Sequence, residues 1–202
     1  MGKRGTAKER RAQIVHGLYR CIAMRGYANT SVRDIAKEAD VGLGLITHHF
    51  RNKDEILHKL ADHVAEQYRQ SFDELLKEHL DGPPGERLKL GIKFIFTDIA
   101  GDKDLVAVFS ELLNLSRHDK KLNSSLKKVY KLYRCTIAEF LAECAQGSNV
   151  SDEEIRKLAT FLVSASEGSG EQWSLDPRGT KLSEMAEMAT MFVDFHIGRH
   201  DK

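Results

Sequence analysis

The sequence predicts an all-α fold, on three observations. Proline is scarce and confined to breaks, apolar residues recur at intervals of three and four, and period-two alternation of β-branched residues is nearly absent. The three prolines are Pro83, Pro84 and Pro177, each beside a glycine or an aspartate. Ile14, Leu18 and Ile22 form one stripe; Leu57, Leu60, Val64, Tyr68, Phe72 and Leu75 form a second; Leu182, Met185, Met188, Ala189, Phe192 and Phe195 form a third. That spacing lines one face of a helix, whereas a half-buried strand alternates side chains between two faces.

Punctuation divides the chain into elements. Gly26 ends a first helix of about five turns, glycine being the residue that most readily takes the left-handed turn after a helix. Ser31 opens a short second helix, with Asp34 three residues on to complete a capping box. Gly42 and Gly44 flank the entry to a third, which ends near Phe50. Asn52 caps the fourth, with Glu55 reaching back to its start. That helix runs about 28 residues to Leu80, before Gly82-Pro83-Pro84-Gly85, the clearest breaker in the chain. Further helices are expected over about 86–99, 103–117, 120–146, 151–174 and 180–198. The separators are Gly101-Asp102, Gly147-Ser148-Asn149 and Asp176-Pro177-Arg178-Gly179. About nine helices result, as an N-terminal three-helix head (residues 1–50) and a C-terminal helical bundle (residues 51–202).

Composition excludes several classes. At 202 residues and 41% hydrophobic the chain can bury a core, and no apolar run nears the ~20 residues of a membrane helix. The polar N-terminus, MGKRGTAKERRAQ, is unlike a signal peptide. Three cysteines, Cys21, Cys135 and Cys144, without a C-x-x-C spacing, fit a reducing cytoplasm better than a disulfide framework or a zinc finger. Met1-Gly2 followed by Thr6 matches the bare myristoylation template, but Lys3 and Arg4 suit a basic arm equally. G-x-S-x-G, Walker A and H-E-x-x-H motifs are absent, so neither enzymatic activity nor a cofactor or metal is expected. Gly42-x-Gly44 lacks the third glycine and the strand of a dinucleotide site.

The near-neutral charge of +1 is a cancellation. Residues 1–60 hold twelve Lys and Arg against six Asp and Glu, a net of +6, and the remainder carries −5. A basic head on an acidic body is the footprint of a phosphate-backbone binder. The pattern of helix from Ser31 to Ala39, turn Asp40-Val41-Gly42, then helix from Leu43 to His49 has the spacing of a helix-turn-helix. Ile35, Ala36 and Ile46 would lock the pair, and the second helix would enter a major groove about 12 Å wide.

The stretch Thr30-Ser31-Val32-Arg33-Asp34-Ile35-Ala36-Lys37-Glu38-Ala39-Asp40-Val41, with Gly42-Leu43-Gly44-Leu45-Ile46-Thr47-His48-His49-Phe50 and Arg51-Asn52-Lys53-Asp54-Glu55-Ile56-Leu57, resembles the TetR-type transcriptional regulators. Gly44-x-Ile46-x-His48-x-Phe50 followed by Asn52-Lys53 is most similar to the choline-responsive, BetI-type branch. The branch's Asp-Gly-Leu-Trp run is only echoed by Glu167-Gly168, with Gly170 in place of the tryptophan, so a choline effector is not carried over. Other departures are Asp40 where the family usually has Gly, Gly42 for Ser, Leu45 for Thr, and Thr47 and His49 for Tyr. Residue by residue, the resemblance implies phosphate contacts from Thr30, Ser31, Arg33, His49 and Lys53. It implies base-facing positions at Gly42, Leu43, Gly44, Leu45, Thr47 and His48. It also implies a repressor that binds inverted-repeat double-stranded DNA as a homodimer in the bacterial cytoplasm, at the nucleoid, and is released by an unknown small-molecule effector.

For the body two readings stay open. Phe94, Phe109, Leu113, Tyr133 and Trp173 either pack the core or line an effector cavity, as do Phe96, Tyr130 and Phe140. Phe161, Ala165, Gly168, Met185, Met188, Phe192 and Phe195 would form the dimer face of the last two helices. Glycines 168 and 170 either allow close backbone approach, to a partner copy or to a ligand, or mark a kink or early end. His48-His49 point about 100° apart and do not share a metal easily, and His196-x-x-x-His200 lies in a tail. The rival to effector control is a DNA-tethered module whose body binds another protein.

Overall fold

The computed structural model describes residues 6–78 and 82–198, the side chains of Leu76 and Glu78 excepted. Met1, Gly2, Lys3, Arg4, Leu80 and His200 lie outside the described residues. The helices are α1 (Ala7–Arg25), α2 (Val32–Glu38), α3 (Leu43–His49), α4 (Lys53–Glu78), α5 (Pro84–Lys93), α6 (Lys103–Ser116), α7 (Lys120–Cys144), α8 (Asp152–Leu175) and α9 (Leu182–His196). No strand occurs among the described residues. The all-α expectation holds.

Side-chain caps set several of the helix starts. The Ser31–Asp34 box forms at the start of α2, and equivalent boxes form from Thr6 and Glu9 at α1 and from Ser151 and Glu154 at α8. Glu55 differs from expectation. Its amide donates to the Asn52 side chain at 2.9 Å, but its carboxylate accepts from the Arg51 amide, one residue further back. The Arg51 guanidinium 3.8 Å away favours that position. Gly26 closes α1 at φ +75°, where any side chain is strained, and its amide donates to the Ile22 carbonyl at 2.9 Å.

The segment expected as one helix over 86–99 is two. Proline occupies the first turn of α5, where its missing N–H costs nothing. After Lys93 the backbone widens into a π-helical segment, Phe94–Ile99. Helix α8 packs on this segment, and Gly170 is the reason it can: a Cβ there would stand 2.9 Å from the Ala100 carbonyl oxygen. The helix does not end early at its glycines, and the close approach made by Gly170 is to this chain's own backbone. Gly168 has open space where its side chain would be.

The described residues divide into two compact units, those within 1–67 and 107–129 and those within 68–106 and 130–202. The first contains the expected head and buries Ile14, Leu18, Ile35, Ile46, Ile56, Leu60, Leu112 and Leu122. The second buries Phe72, Leu88, Ile92, Phe96, Phe140, Leu141, Leu162 and Val193. The stripe expected on α9 splits in two. Leu182, Ala186, Ala189 and Val193 turn inward, while Met188, Met191, Phe192 and Phe195 stay exposed. Apolar residues on both sides of one helix blur the periodicity that the sequence reading relied on.

Candidate nucleic-acid interface

Helix α1 braces the helix-turn-helix through its backbone and three polar side chains. Gly17 lies so close to the end of α2 that a Cβ would meet Ala39 Cβ at 2.8 Å and the Ile35 carbonyl oxygen at 3.0 Å. Gln13 donates to the Ala39 carbonyl at 2.6 Å. Arg20 donates to the Glu38 carbonyl and pairs with the Glu38 carboxylate at 2.7 Å. Arg11 donates to the His49 carbonyl at 2.5 Å, with its guanidinium 4.2 Å from the centre of the Phe50 ring. Two arginines of one helix therefore sit at the C-terminal ends of α2 and α3, where carbonyls lack intrahelical partners and the helix dipoles favour a cation. Ile35, Ala36 and Ile46 are all buried between the helices, as the motif requires.

The brace leaves one face of α3 open. Gly42, Leu43, Gly44, Thr47 and His48 are exposed, and Leu45 and His49 are half-buried. A Cβ at Gly42 or Gly44 would meet nothing within 4 Å, so these glycines answer no packing need inside the protein. They leave backbone free to approach a surface. The Thr47 hydroxyl donates to the Gly44 carbonyl at 3.0 Å, and the His48 and His49 rings stand edge to face at 5.0 Å.

The residues expected at phosphates separate into two kinds. Arg33 is exposed and makes no ion pair among the described residues. Ser31 is exposed, with its hydroxyl engaged by Asp34. Thr30 is instead buried, and its hydroxyl donates to the Gly26 carbonyl at 2.8 Å. Lys53 donates to the carbonyls of Tyr27 and Thr30 at 2.9 and 2.8 Å, with its ammonium 3.9 Å from the centre of the Tyr27 ring. That lysine ties α4 to the α1–α2 loop. Lys53→Met is expected to lower the stability of the protein by about 1–2 kcal/mol, since two carbonyls lose a charged donor. Thermal unfolding with and without the change measures it.

Sequence reading missed a second tie to this loop. The Tyr27 amide donates to the Glu111 carboxylate of α6 at 2.9 Å, and the Tyr27 hydroxyl donates to Asp54 at 2.5 Å. Nearby, His58 bonds Asp119 at 2.6 Å, and Asp119 accepts the first amides of α7. Amide donation from Leu122 and the bond to His58 hold the Asp119 carboxyl below the usual range. These partners lie 61 and 84 residues apart in sequence, beyond any local motif.

In the second unit an aromatic cluster surrounds a carboxylate. The rings of Tyr68 and Tyr133 are 3.9 Å apart, Phe94 lies 6.5 Å from Tyr68, and Tyr130 lies 6.4 Å from Tyr133. Glu167 on α8 is hydrogen-bonded to Tyr130, and burial pushes its carboxyl up to about 7. Of the residues expected at an effector, Phe94 and Tyr133 come together here. Trp173 instead carries the Lys103 ammonium 5.3 Å from its ring, and Phe109 and Leu113 belong to the first unit. On α8 and α9 the expected dimer residues Phe161, Met188, Phe192 and Phe195 are exposed, while Ala165, Gly168 and Met185 are half-buried. The rings of Phe161 and Phe192 are 4.6 Å apart.

Two family models match the chain. Residues 14–60 match the bacterial regulatory proteins of the tetR family, and residues 84–198 match the BetI-type transcriptional repressor C-terminal domain. The chain belongs to the TetR family of transcriptional regulators. Among its relatives is the fatty acid metabolism regulator protein of Bacillus subtilis, 30% identical over 75% of this chain and 76% of that one. A crystal structure of the Bacillus subtilis regulator FadR in complex with stearoyl-CoA superposes with a TM-score of 0.70 at 24% identity, over 90% and 96% of the two chains. That likeness shows the fold. A putative regulator from Saccharomonospora viridis in complex with choline has a TM-score of 0.72 at 25% identity, over 93% and 96%.

Within the TetR family pattern, the departures now have a setting. Asp40, where the family usually has glycine, sits at φ +50°, the left-handed region that aspartate tolerates better than most side chains. Gly42 caps α3 without a side-chain bond, so the serine usual at this position would add one. Among the described residues no helix is long and apolar enough to cross a membrane.

Proposed function

We propose that this TetR-family regulator is a repressor that grips an inverted-repeat operator as a homodimer and releases it when a small molecule binds the body. Residues 1–50 form the DNA-binding part, and residues 51–202 serve effector binding and dimerisation. The observation that carries the reading is the open face of α3. Five of its seven leading positions from Gly42 to His48 are exposed, on a helix whose far end is held by Arg11. Leu45 can meet a thymine methyl, Thr47 and His48 base edges, and Arg33 and Ser31 the flanking phosphates. Thr30 and Lys53 support the phosphate side by shaping the α1–α2 loop, and His49 follows at the helix end.

Two-fold pairing of such heads places recognition helices about 34–36 Å apart or a multiple of this, which is why the operator is expected to be an inverted repeat. The exposed apolar row of Phe161, Met188, Phe192 and Phe195, with Gly168 open beside it, supports pairing through α8 and α9. Phe192→Asp is expected to shift the protein toward monomers in sedimentation and to weaken operator binding at least tenfold, because a charge would be buried at the centre of the face. The tyrosine cluster around Glu167 supports an effector site in the body, and relatives are known with bound stearoyl-CoA and with bound choline. Release then needs a coupling free energy of about 1–3 kcal/mol between the two sites.

The test is selection of bound fragments from genomic DNA by the purified full chain at ~150 mM salt, a concentration at which non-specific binding is weak. Enrichment of a common inverted repeat is the expected result. Recovery of fragments without a shared sequence would overturn the reading.

A further inference from the structure

The body of this chain is acidic overall, yet one face of α7 is not. From Lys120 to Ala138 the helix has no acidic residue. Arg117, just before the helix, and Lys120, Lys121, Lys127 and Lys128 on it are all exposed. None of the five makes an ion pair among the described residues, whereas several surface lysines elsewhere are paired with a carboxylate near them in sequence. Lys59 pairs with Asp62, Lys157 with Glu153 and Lys181 with Glu184, each within 2.8 Å.

The fold does not ask for this arrangement. Lys120 and Lys121 occupy the first turn of α7, where the helix dipole disfavours cations, and the acidic group beside them, the Asp119 carboxylate, is engaged by the first amides of the helix and by His58. The lysines fall at i, i+7 and i+8 of the face opposite Leu122, Leu126 and Val129, which are buried. Their row is about 12 Å long, from eight residues at 1.5 Å each. A strand of duplex DNA passes three or four phosphates in about that length. All five cations belong to the same compact unit as the helix-turn-helix.

We infer that the basic face of Arg117, Lys120, Lys121, Lys127 and Lys128 is a second DNA-contacting surface, which takes the phosphate backbone of duplex flanking the operator. It rests on the reading of this protein as an operator-binding regulator. The contact is electrostatic and carries no sequence preference, so it lengthens the bound site without changing which operator is chosen.

The experiment compares the full chain with a variant carrying Lys120→Gln, Lys121→Gln, Lys127→Gln and Lys128→Gln, on two duplexes. One ends at the edges of the selected operator, and the other extends it by fifteen or so base pairs of arbitrary sequence on each side. Glutamine keeps helix propensity and removes charge, and unchanged or raised thermal stability confirms folding. The unaltered protein is expected to bind the long duplex at least tenfold more tightly, with a salt slope about two to four units steeper. The variant is expected to lose that advantage while holding the short duplex as before. Equal affinity and slope of the unaltered protein on both duplexes would overturn the inference, as would a variant that keeps the long-duplex advantage. Binding of anionic phosphatidylserine vesicles that the variant loses, with its DNA binding unchanged on both duplexes, would overturn it in favour of a lipid surface. Failure to prefer the short operator over scrambled duplex would instead sink the regulator reading itself.

Discussion

Gly17→Ala is expected to destabilise the protein by about 2 kcal/mol and to weaken operator binding with it, as overpacking of a tight contact does. The added carbon would stand 2.8 Å from Ala39 Cβ and 3.0 and 3.1 Å from backbone atoms of Ile35 and Ala39. Neither neighbour is the far end of a flexible side chain, so α2 has to move away from α1. That movement would break the bonds from Gln13 to Ala39 and from Arg20 to Glu38, both of which depend on the same approach. Elsewhere in a helix the same exchange stabilises by up to about 1 kcal/mol, so the sign alone is diagnostic. Urea unfolding of the two proteins measures it, and a variant at least as stable as the parent would show that the close approach is not needed.

The second large effect concerns Glu167 and depends on pH. Burial raises its carboxyl to about 7, partly opposed by the hydrogen bond from Tyr130, raised further by Glu171 and lowered by Arg134. In the unfolded chain a glutamate titrates near 4.3, about that of a free side chain. The folded state therefore holds the proton more tightly. Its contribution is fully present below the unfolded value and is lost as pH rises through about 7. Glu167→Gln keeps the acceptor for Tyr130 and removes the titration. Its stability relative to the parent is expected to grow by about 2 kcal/mol from pH 5 to pH 8, a figure reduced for the partial exposure of the site. Urea midpoints at the two pH values provide the check. A difference that does not change with pH would mean that Glu167 is solvated like a surface carboxylate.

The helices were legible because their signals are local. Ser31 with Asp34 and Gly26 each act within a few residues and appear where expected, while Pro84 and Gly85 of the breaker join the first turn of α5 and the α9 stripe splits in two. The helix-turn-helix was legible for the same reason, through the spacing of α2, turn and α3. What the sequence hid depends on distant partners. Arg11 and Arg20 look like members of a basic head, but they serve as braces to carbonyls 38 and 18 residues away. Lys53 is a loop clamp for the same kind of reason, and the head's charge available to DNA is smaller than its count of cations. Gly17 sits inside a regular helix, with no turn nearby to draw notice to it. The π-helical turn at Phe94–Ile99 has no composition of its own, and it becomes intelligible only beside Gly170. The lysines of α7 were concealed by averaging, since the acidic body around them outweighs them in any sum over the domain.

We propose that the exposed face of α3 is what reads sequence. An anisotropy titration of the full chain and of a Thr47→Ala/His48→Ala variant, against the selected operator and a scrambled duplex of equal length, decides it. Specific regulators bind their sites about 10³-fold or more above non-specific duplex. The unaltered protein is expected to show a ratio of that order, and the variant to lose most of it while binding scrambled duplex as before. A variant that keeps the full ratio would contradict the account, because sequence would then be read by some other part of the protein.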